Sequence, residues 1–82
     1  MKFLKIDDTT FINIDAIDAV YMETLLDEFE AIYTLKITTR SGWQFIVMQE
    51  HTLPDDKVQK KKAAETIKKR MNELIQQIKE NE

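Results

Sequence analysis

The spacing of apolar residues changes once along the chain, near Pro54. Before it they alternate, and after it they recur at three- and four-residue steps. Tyr33, Leu35 and Ile37 alternate with Thr34, Lys36 and Thr38, the period-two pattern of a half-buried strand. Arg40-Ser41-Gly42 follows, and the only glycine in the chain stands where a tight hairpin needs a residue at positive φ. Trp43 to Gln49 reads as the return strand, with Trp43, Phe45 and Val47 on one side and Ile46 and Met48 on the other. Apolar residues on both faces imply that each face is at least partly covered.

Upstream, Phe3 to Asp7 and Thr10 to Ile14 read as short strands around an Asp8-Thr9 turn. Asn13 to Ile17 reads as a turn in which a polar side chain holds nearby backbone groups. Asp18 to Leu25 is read as a further strand. Helix competes over residues 15–26, because Ala, Met, Glu and Leu favour it, but the stretch lies between strand patterns and feeds a hairpin. Residues 26–31 form an acidic connection that carries Phe29.

From Pro54 onward, Ala64, Ile67, Met71, Leu74, Ile75 and Ile78 make one apolar stripe on a helix. Thr52-Leu53-Pro54-Asp55 has the features of a helix start, with a hydroxyl cap, a proline in the first turn and acids at the positive end of the dipole. A helix from about 55 to 79 is nearly 40 Å long at ~1.5 Å per residue. A five-residue strand spans only about 17 Å. The lysine-rich first turns therefore have little to bury, which is a physical reason to expect self-association. No glycine closes the helix, so residues 79–82 are expected to fray.

Composition narrows the function. The chain has 82 residues, no cysteine, one histidine and a net charge of -3, with 43% hydrophobic and 33% charged residues. That length holds one domain, and the composition suits a core rather than a disordered chain. Disulfide scaffolds, thiolate zinc sites, cysteine nucleophiles and glycine-rich phosphate cradles have no residues to build them. Asp7 and Asp8 interrupt the apolar start before a signal-peptide core forms, and no window has the roughly 18 apolar residues of a membrane span. The expectation is a cytoplasmic protein that neither crosses nor binds a membrane, since the helix stripe is needed to cover the sheet.

Catalytic chemistry finds little support. His51, beside Glu50 and near Asp55 and Asp56, reads as a solvated loop histidine, because one imidazole with acids at no metal-ligand spacing is a weak signal. Ser41 is explained by turn chemistry. The acidic pairs Asp7/Asp8, Asp27/Glu28 and Asp55/Asp56 fall in turns or at a helix start, without the burial that raises a pKa for acid catalysis. The chain is read as a non-enzyme with no cofactor and no metal.

Charge is divided unevenly. Residues 1–53 hold four bases against nine acids, a balance of -5, and residues 54–82 hold eight bases against six acids, a balance of +2. Lys57, Lys60, Lys61, Lys62, Lys68, Lys69 and Arg70 stand against Glu65 alone and are candidate phosphate contacts. Such a run is also what a solvated helix surface looks like. A single arginine and no helix aromatics argue against base reading. The surplus helix length, the two-faced strand 43–49 and Phe29 favour protein contact, with Phe29, Ile46 and Met48 as candidate contact residues.

Phe11-Ile12-Asn13-Ile14-Asp15-Ala16-Ile17, then Tyr33 to Thr39, then Ser41 to Val47, resembles the small flagellar-operon proteins of the FlbD type and similar small bacterial and phage proteins. The likeness covers about residues 10–50. It implies turn-forming roles for Asn13 and Asp15, a hairpin role for Gly42, and a non-enzymatic accessory protein. The acidic connection at 26–31 and the basic helix are both longer here than in that pattern.

The expected fold is α+β, a curled antiparallel sheet of four or five strands (1–53) followed by one long C-terminal helix (54–82), in a single domain. The expected function is that of a small bacterial or phage accessory protein acting by protein contact, as a homodimer in which a second copy covers the surplus helix, with nucleic-acid association through the basic helix face as the alternative.

Overall fold

A computed structural model describes residues 2–81; Met1 and Glu82 lie outside the described residues. The fold is α+β: β1 (Phe3–Lys5), β2 (Phe11–Asn13), a 3-10 turn (Ile14–Ala16), β3 (Ile17–Leu26), β4 (Ala31–Thr39), β5 (Gln44–Thr52) and α1 (Lys57–Glu80).

The strands do not form one curled sheet of four or five. β1 and β2 make a two-stranded antiparallel sheet, and β3-β4-β5 make a separate three-stranded one. The division falls at the 3-10 turn. Asn13 Oδ1 accepts the Asp15 N–H at 2.9 Å, and the turned segment redirects the chain before β3 begins. β1 and β2, three residues each, bury Leu4 and Ile12 in the core rather than extend the larger sheet.

Residues 17–26 are strand, as the alternation favours, despite their helix-forming side chains. The β4–β5 hairpin turns at Gly42, whose φ is +93° and whose N–H donates to the Thr39 carbonyl at 3.0 Å. The alternation of the return strand fails at one point. Leu35 pairs with Met48 and Lys36 with Ile46, so Val47 is an extra residue in a bulge. Phe45, Val47 and Met48 all pack against the core as a result. Met48 does not share the side of Ile46, and Trp43 precedes the strand and is 68% exposed.

The helix crosses one face of the larger sheet. Leu35, Ile37, Ile67, Leu74 and Leu4 are the largest fully buried side chains, so sheet, helix and β1–β2 hairpin share one core. Ala63 joins the expected stripe as a buried residue. The helix start differs from the expected one. Asp56, not Thr52, caps the helix and accepts the Gln59 N–H at 3.0 Å. The Gln59 side chain reaches back to the Leu53 N–H at 3.3 Å, which satisfies donors at the helix entrance in the manner of a capping box. Thr52 is buried, with its hydroxyl turned to the Leu53 carbonyl. At the other end helix continues through Glu80, past the expected limit, and Asn81 closes it by donating from Nδ2 to the Gln77 carbonyl at 2.8 Å.

Candidate functional site

Of the three residues read as contacts, two lie on the surface. Phe29 is 80% exposed and Ile46 is 59% exposed, whereas Met48 packs against the core through the Val47 bulge. The two exposed residues belong to different surfaces.

Phe29 stands in the four-residue connection between β3 and β4. Asp27 shapes it: its Oδ1 accepts the Phe29 N–H at 2.7 Å and the Glu30 N–H at 2.8 Å. These backbone donors, Glu30 foremost and then Phe29, hold the Asp27 carboxyl below its ordinary value of 3.8. The backbone is thus tied down while the Phe29 ring is left in water. Facing it across a shallow groove of about 780 Å³ are Leu53, Pro54 and Val58 at the entrance to the helix. Val58 is 78% exposed, and Leu26 and Leu53 are exposed as well. Glu28, Asp55 and Asp56 line the same groove beside Lys57. Sequence periodicity does not bring Leu53 and Val58 to Phe29, because the β3–β4 connection and the helix start meet only in the fold. Val58 standing off the apolar stripe, within a lysine-rich turn, is the one local signal.

Ile46 belongs to the face of the three-stranded sheet opposite the helix. The register places Tyr21, Lys36 and Ile46 in one row, and Glu23, Thr34 and Gln49 in the next. Lys36 and Glu23 form a salt bridge across this face. The hydrogen bond that Lys36 donates to Glu23 raises its pKa above 10.5 against the opposing effect of burial. Gln49 Nε2 donates to Thr34 Oγ1 at 3.3 Å. The face is mixed in character, with polar pairs set among Tyr21, Leu25, Ile32 and Ile46.

The basic run is not one surface. At about 100° per residue, Lys57, Lys61 and Lys68 lie within about 40° of one another, and Lys62 and Lys69 lie about 110° further round. Lys60 is half-buried toward the core side, whereas these five are exposed and make no salt bridge among the described residues. Arg70 is engaged within the chain. It donates to the Ile6 carbonyl at 3.2 Å and pairs with Glu73 at 3.2 Å, so it fastens the helix to the β1–β2 hairpin.

His51 lies in β5 rather than in a loop, with Nδ1 3.0 Å from Glu30 Oε1. Ser41 shares a 3.0 Å hydroxyl contact with Thr39 in the hairpin turn. Among the described residues no three His, Cys, Asp or Glu side chains gather where a metal ion could be held. No helix among them is long and apolar enough to cross a membrane. No protein-family model matches the chain, and neither does any curated protein or solved structure.

Proposed function

We propose that this chain is a small, non-catalytic bacterial or phage accessory protein of the cytoplasm that works by protein contact and associates with itself. Its support is the gathering of Phe29, Leu53 and Val58 in water around one shallow groove. Large apolar side chains held out by an ordered turn cost free energy in the isolated chain, and a partner surface removes that cost. The resemblance of residues 10–50 to flagellar-operon proteins of the FlbD type fits an accessory role of this kind.

Two measurements test the reading. Sedimentation equilibrium across micromolar concentrations should give a mass above the 9.7 kDa of one chain; a single-chain mass throughout overturns the self-association. Phe29→Asp should leave the thermal midpoint nearly unchanged. A fall of more than about 8 °C, equivalent to ~1 kcal/mol or more in a domain of this size, would make Phe29 a structural lid and not a contact residue.

A second reading draws on Lys57, Lys61, Lys62, Lys68 and Lys69, which are exposed and form no salt bridge among the described residues, and which suit the phosphates of a nucleic acid. Phosphate contacts strengthen as salt falls. Absence of binding to both duplex and single strand at low salt ends that reading.

A further inference from the structure

The larger sheet has two edges, and they differ. β5 carries the Val47 bulge in its middle, which interrupts the ladder and bends the strand. β3 is regular from Ala19 to Leu26, its own irregularity lying at the far end near Asp18. It contains no proline and no lysine, two common guards of a free edge. Among the described residues no strand pairs with its outer side. The β1–β2 hairpin, which in a single curled sheet would cover that side, instead packs into the core against the helix.

The direction of the backbone groups on this edge follows from the turn. The Asp27 N–H donates to the Glu30 carbonyl at 3.0 Å, which fixes the alternation of the antiparallel ladder. Glu23 and Leu25 bond inward to β4, and Val20, Met22, Thr24 and Leu26 turn their N–H and C=O groups outward. No loop, turn or side-chain hydrogen bond of the described residues uses those outward groups.

We propose that β3 is a docking edge for a second copy of this chain, paired antiparallel about a two-fold axis at Met22 to make one continuous six-stranded sheet. The inference rests on the self-association proposed above and places it at the β3 edge, a surface separate from the Phe29 groove, which is left to contact with another protein. In this register Val20 faces Thr24 of the second copy and Met22 faces its own counterpart, giving about six backbone hydrogen bonds. Between them Tyr21 faces Glu23, and Ala19 faces Leu25. No like charges are opposed. Centring the axis on Glu23 would set two carboxylates against each other, which disfavours that register. A two-fold edge contact is self-complementary and closes at the dimer.

The test is Thr24→Pro. Thr24 is exposed, its N–H points away from β4, and proline is tolerated where the missing donor faces solvent. The expected result is an unchanged far-ultraviolet circular dichroism spectrum with dimer affinity weakened by more than about tenfold. Thr24→Lys, which keeps the backbone donor and adds an edge charge, should weaken the dimer in the same direction and covers the case in which the proline variant does not fold. The absence of native cysteine permits a direct check: Tyr21→Cys and Glu23→Cys proteins, mixed and oxidised, should form a mixed disulfide dimer. A parent dimer that survives both Thr24 variants and yields no mixed disulfide overturns the β3 edge and leaves self-association standing. A parent chain monomeric at every concentration overturns both.

Discussion

β4 presents opposite sides to two different surroundings. Ala31, Tyr33, Leu35 and Ile37 face the helix and are buried in the common core. Ile32, Thr34, Lys36 and Thr38 face the side without a helix, and yet Thr34 is only 3% exposed. The helix side is closed by a second layer of structure, so its stability comes from apolar area removed from water. The other side is closed sideways, by Glu23 and Gln49 reaching over from the flanking strands. There stability depends on satisfying polar groups. Adjacent positions on one strand are therefore held by different physics.

The sharpest way to break the comparison is to empty one position on each side. Leu35→Ala should cost about 2–5 kcal/mol, because it removes a fully buried side chain and leaves a cavity between sheet and helix. Its neighbour Thr34→Ala should cost about 1 kcal/mol, since Gln49 is exposed and can bond to water when its acceptor is lost. Urea unfolding of both variants measures the difference. A Thr34→Ala loss equal to that of Leu35→Ala would mean that the side away from the helix carries a second core.

A smaller and more specific effect concerns Lys36. Glu23 raises its pKa above the ordinary 10.5. The pair therefore contributes stability below that value and loses it as pH rises through the raised pKa of the folded state. Glu23→Gln should lower stability at neutral pH and flatten the alkaline decline. Urea midpoints followed from neutral to strongly alkaline pH would show this. An alkaline limb of unchanged slope would separate the ion pair from stability.

The contrast between the two sides also explains which parts of the fold were legible in sequence. The β4–β5 hairpin, the positive φ of Gly42 and the helix stripe from Ala64 to Ile78 are local, because the residues that set the period also perform the burial. The strand at 17–26 was legible from its neighbours despite the helix preference of its residues. Strict alternation misled at Val47. A bulge adds a residue without marking itself in composition, and it carried Met48 from the expected surface to the core side. The division into two sheets was hidden for a similar reason: Asn13 announces a turn, but not the direction the chain takes after it. Phe29 and Ile46 were legible as exposed apolar residues. The cluster around Phe29 was not, since Leu53 and Val58 meet the β3–β4 connection only through the path of the whole chain.

The least disruptive change gives the finest comparison. Ile46 lies on the side away from the helix, on the edge strand, opposite Lys36. Ile46→Thr keeps the β-branched shape that suits a strand and removes apolar surface that is mostly in water. Its effect on unfolding should stay within about 0.5 kcal/mol. Dimer affinity should also be unchanged, because the β3 edge lies across the sheet from β5. Sedimentation equilibrium and urea unfolding of the same preparation read both quantities. Weaker association with unchanged stability would move the contact from the edge of the sheet to its bare face, where Tyr21, Leu25 and Ile32 lie with Ile46. Lower stability with unchanged association would instead show that the bare face buries Ile46 within the single chain.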